Sequence, residues 1–363
     1  MGRLREVWAA QWLTNGGAQH ERLEEALRHY LQVRHLSLFN NGTIALLTAA
    51  RALRLRGSVV TTPFTFPATP HSLVWAGIEP VFSDIDPVTM TIDPACAEAA
   101  IRPDTTGILG VHVYGLPCDV AALAALSSRR GVKLVYDAAH AFGATVDGTA
   151  IGNFGDATMF SFHATKLFHT AEGGALVCGD PALKAAVDHL KNFGILNQEE
   201  VDVPGINGKM NELQAALGLV VLDHVAEEVR LRQTIIARYR THLAGVDGLT
   251  AMPAPAGVGA SCQYFMIRVD RERFGASRDE VQAALLACQV FTRKYFYPLC
   301  SDYPCYRDLP SSAPANLPVA RRVVNEVLCL PLYGALPLES VDRICEMLTG
   351  ARDRTARSGA ESR

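Results

Sequence analysis

Between residues 58 and 136 the chain alternates short apolar runs with helical stretches, and this alternation restricts the fold more than any other feature. Ser58–Thr62, Pro80–Asp84, Thr106–Val111 and Lys133–Tyr136 read as strands. Thr69–Ala76, a segment opened by Asp93-Pro94, and Asp119–Arg129 read as helices, with Pro94 at the favoured first helical position. Strands that alternate with helices build a mostly parallel α/β sheet. Active sites in such sheets lie at the carboxyl ends of the strands. Phe66, Asp137 and Lys166 each fall just past an expected strand end, so the fold can bring them together.

Two further apolar strands, Asp156–Phe160 and Gly174–Cys178, bracket the run Ser161-Phe162-His163-Ala164-Thr165-Lys166, which is closed by Glu172-Gly173-Gly174. A lysine beside a core tends to lose its proton, and a neutral amine in a partly dry pocket attacks aldehydes, as a Schiff-base lysine does. The plainer alternative is a lysine that snorkels out from a strand end. Asp137 ends an apolar strand and is followed by Ala138-Ala139-His140. Such a carboxylate either caps a helix or faces a cationic partner. Phe66 is either core or a stacking surface. Gly42-Thr43, before the Ala- and Leu-rich helix Ile44–Leu53, is either an ordinary cap or an anion site of free backbone N–H groups and a hydroxyl.

Length and composition bound the rest. The 363 residues suit two domains, or one large core with a smaller appendage. Hydrophobic residues make up 49% and charged residues 20%, which suits a well-buried globular chain. A net charge of −3 leaves no basic footprint for nucleic acid and no polybasic membrane patch. Met1–Trp8 lacks the apolar stretch of a signal peptide, and no apolar run reaches the length of a membrane span. Nine scattered cysteines, odd in number and without a C-x-x-C pair, fit a cytosolic pattern of buried thiols. A Gly-x-Gly-x-x-Gly after the first strand is missing, which argues against a nicotinamide-dependent oxidoreductase.

Outside the first alternating block, residues 1–20 read as irregular, and Leu23, Leu27, Tyr30 and Leu31 as one helical face. Met210, Leu213, Leu217 and Val220 read as the buried face of a helix, with a separate amphipathic helix over Leu222–Leu243. Gly245–Gly259 reads as a junction between domains. Tyr264–Val269 reads as a strand, Asp279–Cys288 as a helix, Phe291–Leu299 as an edge strand with a solvated face, Pro318–Leu328 as a helix and Leu330–Tyr333 as a strand.

The lysine run with its Glu-Gly-Gly resembles the motif of the sugar-nucleotide aminotransferases of the DegT/DnrJ/StrS family. Gly42-Thr43, Asp137-x-x-His140 and the stretch Gly205-Ile206-Asn207-Gly208-Lys209-Met210 through Gln214-Ala215-Ala216 to Gly218 are similar to further motifs of that family, in the same order. Lys209 stands where arginine is usual, and this puts a bidentate contact in doubt. The resemblance implies the aspartate aminotransferase type of α/β fold, PLP-dependent transferase fold type I. It divides the chain into a large domain over 1–244, a small one over 245–350 and a frayed tail over 351–363, and it implies an obligate homodimer in the cytoplasm.

The resemblance also implies roles. Lys166 holds pyridoxal phosphate (PLP) and later moves a proton. Asp137 keeps the ring nitrogen protonated, His140 meets the ring oxygen and Phe66 stacks on the ring. Gly42, Thr43, Ser161 and Asn207 from the partner subunit hold the phosphate. His163 either faces the sugar or makes a structural hydrogen bond. Arg293, Lys294 and Tyr295 lie near the mouth, where cations meet a diphosphate, and the Thr14–Gly17 loop lies near the substrate. Glutamate and a nucleotide-linked keto sugar are the implied substrates. Trp12–Asn15, Ser37–Thr43 and Arg293–Pro298 look most like the branch that makes dTDP-4-amino-4,6-dideoxyglucose from dTDP-4-keto-6-deoxyglucose. The alternatives are a C3 aminotransferase on a dTDP-3-keto sugar, a GDP-linked C4 enzyme and a non-catalytic regulator. The sugar dehydratases of the family replace the lysine with histidine, so Lys166 argues against them.

Overall fold

The computed structural model describes residues 2–259 and 261–361, with side chains as far as residue 350. Two helices, α1 (Gly2–Ala10) and α2 (Ala18–Tyr30), lead into the first strand, β1 (Leu36–Phe39). Helix and strand then alternate through α3 (Gly42–Ala52), β2 (Ser58–Thr61), α4 (Ala68–Trp75), β3 (Glu79–Phe82), α5 (Pro94–Ala100), β4 (Thr105–Val111), α6 (Val120–Arg130) and β5 (Lys133–Asp137). A small hairpin of β6 (Thr145–Val146) and β7 (Thr149–Ala150) precedes β8 (Ala157–Ser161) and β9 (Gly174–Cys178).

Seven of these strands form one sheet in the order β1-β9-β8-β5-β4-β2-β3. The pairs from β8 through β5, β4 and β2 to β3 are parallel, and β9 runs against both of its neighbours. Six strands therefore point one way, and their carboxyl ends share one edge. β1, β2 and β9 are buried along their whole length, as expected of a sheet covered on both faces. Local chemistry sets the helix ends. Asp93 accepts from the N–H groups of Ala95 and Cys96 ahead of α5, Asp119 accepts from Ala122 ahead of α6, and Gly131 ends α6 in the left-handed region.

The chain continues through α7 (Pro181–Leu190), α8 (Glu212–Leu243), β10 (Leu249–Ala251), β11 (Val258–Gly259), β12 (Phe265–Val269), α9 (Arg271–Phe274), α10 (Arg278–Ala287), α11 (Pro318–Val323), β13 (Val327–Leu330) and α12 (Leu338–Glu361). β10, β12 and β13 make a second, antiparallel sheet. Tyr239 of α8, Phe265, Phe274, Leu285 and Val341 form its core. Another core joins Phe64, Phe82 and Tyr114 to Phe296, Leu299 and Val327, so the second sheet is packed onto the strand ends of the first.

Several expectations are corrected. Residues 2–10 are helical rather than irregular; only Val7 of α1 is buried, too little to leave a periodic signal. The two helices expected across 210–243 are one, α8, and its buried face is different. Ala215, Ala216, Gly218 and Leu219 face inward, whereas Leu213 is 49% and Val220 40% exposed. Closeness contributes: a Cβ on Gly218 would sit 2.8 Å from both Leu23 Cδ2 and Thr170 Cγ2, so at that position only glycine admits α2. Met210 is buried but lies ahead of the helix, whose cap is Asn211. The helix expected over Pro318–Leu328 stops at Val323, and the last strand is Val327–Leu330 rather than Leu330–Tyr333. Pro331 has no N–H to continue that ladder. Phe291–Leu299 is not a strand; it makes a single bridge, Arg293 to Cys329, and buries Phe296 and Leu299. The expected tail over 351–363 falls on the end of α12, whose backbone runs to Glu361; Ser362 and Arg363 lie outside the described residues.

Aromatic packing holds the segment after β8. Phe168 is fully buried, stacked on Phe142 at 4.8 Å and edge-on to Phe162 at 4.7 Å. Phe168→Ala is expected to cost about 3–5 kcal/mol of stability, read from the shift in the urea unfolding midpoint.

Candidate active site

The carboxyl edge of the large sheet carries the residues that the sequence singled out. β8 ends at Ser161, and the loop 162–173 returns the chain to β9. Phe162, Leu167 and Phe168 are buried beneath the loop, and Phe162 N–H donates to the Gly173 carbonyl at 2.9 Å, closing it. His163, Ala164 and Thr165 are exposed, and Lys166 is half-buried between the two groups. Burial lowers the Lys166 pKa to about 8, and the negative charge of Asp137 opposes that shift.

Asp137 ends β5 in the middle of the sheet and is buried. Its Oδ2 accepts from Thr69 Oγ1 at 2.8 Å and its Oδ1 from Ala139 N–H at 3.0 Å. Burial raises its pKa; those two hydrogen bonds and the Lys166 charge work in the other direction. Thr69, in the first turn of α4, is itself bonded to Thr65 in the turn after β2 at 2.8 Å, so a pair of hydroxyls orients the carboxylate.

His140 is buried one turn beyond Asp137, and its Nδ1 has no hydrogen-bond partner among the described residues. Its ring is stacked on Phe296 at 5.5 Å with planes 5° apart, and Tyr264 meets it edge-on at 5.0 Å. Burial, reinforced by the positive Lys166, holds its pKa well below the usual histidine value, so the ring is neutral near pH 7. The shared influence of Lys166 on Asp137 and His140 puts the three groups in one cluster.

Gly42 opens α3 beside Ser161. A Cβ on Gly42 would lie 3.2 Å from Ser161 Cβ, and one on Gly174 would lie 2.8 Å from Gly42 Cα. The absence of those side chains lets β9, β8 and the α3 N-terminus meet. Asn41 caps α3 by accepting from Thr43 N–H at 2.8 Å, and its Nδ2 donates to Glu172 at 3.1 Å. Ser161 is half-buried, and Phe66, after β2, is 56% exposed at the same edge of the sheet.

The other expected residues are less central. Asn207 has an exposed side chain, and only its carbonyl is engaged, by Asn40 Nδ2 at 3.0 Å. His163 bonds Thr165 Oγ1 through Nδ1 at 2.9 Å and lies 3.5 Å from Glu172, a local arrangement. Arg293 is exposed, and Lys294 pairs with Asp279 at 2.6 Å. Tyr295 packs on Tyr264 at 5.4 Å, which ties its segment to the His140 surroundings. The Thr14–Gly17 loop is held by Glu212, whose carboxylate accepts from Gln19 N–H at 2.9 Å and His20 N–H at 2.8 Å and so caps α2. Sequence reading missed Thr69, Glu212 and Gln214. Gln214 bonds the Glu172 carbonyl at 2.6 Å and gives α8 its capping box with Asn211.

A buried carboxylate, a partly desolvated lysine, a neutral buried histidine with an open nitrogen and a helix N-terminus beside a serine fit the groups of PLP one by one: pyridinium, aldehyde, ring oxygen and phosphate. The sequence profile of the DegT/DnrJ/EryC1/StrS aminotransferase family matches residues 1–349. The chain belongs to that family. It is an aminotransferase, and its cofactor is PLP. It is 43% identical to the dTDP-4-amino-4,6-dideoxy-D-glucose transaminase of Escherichia coli, over 96% of this chain and 94% of that one. Its structure superposes on DesI, crystallised in the presence of its TDP-sugar product, with a TM-score of 0.94 and 38% identity, covering 99% of this chain and 91% of DesI. The PLP form of a Streptococcus pneumoniae protein gives a TM-score of 0.90 at 26% identity, covering 98% and 96%.

The electrostatics yield a test on the cofactor-free aminotransferase. Below pH 8, acylation of Lys166 should rise about tenfold per pH unit and then level, as the neutral amine becomes the main form. Asp137→Asn should move that midpoint below 8, because the carboxylate favours the charged amine. Peptide mass spectrometry after brief acylation across pH 6–10 measures both; a midpoint unmoved by Asp137→Asn contradicts the coupling.

Proposed function

We propose that this aminotransferase carries an amino group from glutamate to dTDP-4-keto-6-deoxyglucose and so forms dTDP-4-amino-4,6-dideoxyglucose. The observation that carries the reading is the Lys166–Asp137 cluster in a chain 43% identical, almost end to end, to the E. coli transaminase of that sugar. When bound, PLP supplies an electron sink for the carbon that bears the transferred nitrogen.

The chain's own residues do the rest. Asp137, kept in place by Thr69 and Ala139, would meet the ring nitrogen as a carboxylate and favour its protonated form. Lys166 is poised near pH 8 to hold the cofactor and, once displaced, to take a proton from the donor carbon and return it on the other side of the transfer. His140 would meet the ring oxygen with its neutral imidazole, Phe66 would stack on the ring, and Gly42, Thr43 and Ser161 would hold the phosphate, so that the cofactor would stay bound between the two half-reactions. His163, Arg293, Lys294 and Tyr295 belong to the sugar-nucleotide side. We retain two working units, 1–244 and 245–350, supported by the separate second sheet. The scattered thiols suit a reducing compartment, and we place the reaction in the cytoplasm.

We further infer a homodimer with shared sites. The loop 193–206 exposes Phe193, Ile195, Leu196 and Val201, and the adjoining turns of α8 expose Leu213, Leu217 and Val220. An apolar surface of this kind, continuous in sequence with the free side chain of Asn207, suits a second copy whose cofactor phosphate Asn207 reaches.

Lys166→Ala should lower turnover by about 10²–10⁴-fold or more, followed with glutamate and a panel of dTDP- and GDP-linked 3-keto and 4-keto sugars; the product's NMR spectrum assigns the aminated carbon. Turnover only on a 3-keto sugar, or only on a GDP sugar, refutes the substrate assignment. Leu217→Glu should shift sedimentation toward the monomer, and Asn207→Ala should raise the cofactor dissociation constant about tenfold while leaving the dimer intact.

A further inference from the structure

Gln263 lies between β11 and β12, far in sequence from the lysine loop, and is buried with 6% of its surface exposed. Its Oε1 accepts from Leu167 N–H at 2.7 Å, and its Nε2 donates to the Thr165 carbonyl at 3.0 Å. Those two backbone groups belong to the residues on either side of Lys166. A carboxamide carries one acceptor and one donor group side by side, so it can pair with both. The reverse orientation would set its N–H against an N–H and its oxygen against a carbonyl, so the two bonds define the side chain's orientation.

We propose that Gln263 is a positioning residue for Lys166, a clamp from the second sheet that fixes the backbone from which the amine swings. The inference rests on the reading of Lys166 as the working amine. A lysine side chain has four rotatable bonds and little rigidity of its own, so the volume that its amine searches is set by where its Cα is held. On the far side of Lys166 the loop is anchored by buried Leu167 and Phe168; on the near side His163, Ala164 and Thr165 are exposed. Gln263 supplies the missing anchor there. Its neighbours act on the same site. Ser261 Oγ donates to the His140 carbonyl at 2.6 Å, and Tyr264 packs edge-on against the His140 ring. β12 begins at the next residue, Phe265, so the strap 261–264 carries the position of the second sheet directly to Lys166 and His140.

Two variants test the clamp. Gln263→Met keeps the length and removes both bonds. Gln263→Glu keeps an acceptor for Leu167 N–H but sets a carboxylate oxygen against the Thr165 carbonyl. In the cofactor-free protein, the pH midpoint of Lys166 acylation should rise by about one unit toward the ordinary lysine range as the amine gains solvent. In the loaded protein, the single-turnover rate with glutamate, expressed per cofactor-bearing site, should fall about tenfold or more. Both readouts are normalised to folded protein, so a purely structural residue would lower the melting temperature and move neither. If Gln263→Met does not fold, Gln263→Glu decides by the per-site rate alone, because its new carboxylate raises the Lys166 midpoint by charge, as Asp137 does. An unchanged midpoint together with an unchanged per-site rate overturns the inference. Lys166→Ala run in parallel separates the causes: if it still turns over, the reading of Lys166 fails and the clamp with it, whereas an inactive Lys166→Ala beside wild-type behaviour of the Gln263 variants removes the clamp alone.

Discussion

Burial works against both charges at the centre of this protein, and each charge partly relieves the other. Desolvation raises the pKa of Asp137 and lowers that of Lys166, and in both cases the opposite charge is the restoring influence. An isolated buried charge would neutralise. Lys166, with a pKa of about 8, is thereby left able to hold or give up a proton, which suits a proton carrier. The remainder of the architecture serves that balance. β5 puts the carboxylate in the middle of a sheet covered on both faces, where water cannot reach it freely. Loop 162–173 puts the amine at the rim, where it is half-wet and able to move.

Reach explains why the carboxylate and the amine are held so differently. Asp137 must not move, and it has a short side chain fixed by Thr69, which is itself fixed by Thr65. The role proposed for Lys166 requires movement, and its side chain is only half-buried. Its backbone is held instead, by Phe162 and Phe168 below and by Gln263 alongside. Rigid backbone with a mobile side chain in one case, and a locked side chain in the other, follow from the two tasks.

Much of this was legible in the chain itself, for a physical reason. The central strands of a parallel sheet are continuous apolar runs, so β2, β4, β5 and β8 stood out, and a charged residue just past such a run is conspicuous. Asp137 and Lys166 were found in that way, and the resemblance to known aminotransferases placed His140, Gly42 and Ser161 beside them. The partners that orient these residues were not legible. Thr69 meets Asp137 across 68 residues, Gln263 meets Leu167 across 96, and Glu212 meets Gln19 across 193. None belongs to a period, and each is a single polar side chain in a segment that reads as ordinary turn or helix. Helix α1 escaped for the opposite reason, since with one buried residue it has almost no pattern to show.

The misread face of α8 is the most instructive departure. Helical spacing of large apolar residues selects Leu213, Leu217 and Val220 for the core. Packing selects Ala215, Ala216, Gly218 and Leu219 instead, and at Gly218 Leu23 of α2 and Thr170 approach too closely for even a Cβ. α8 is anchored further along by buried Val225, Ile235, Tyr239 and Leu243, so its early outward leucines are free to serve as a contact surface. The same turn carries Asn211 and Gln214, which tie it to Glu172 at the end of the lysine loop. On the homodimer reading, a second copy docked on the outer face would bear on the turn that is bonded to the end of the lysine loop.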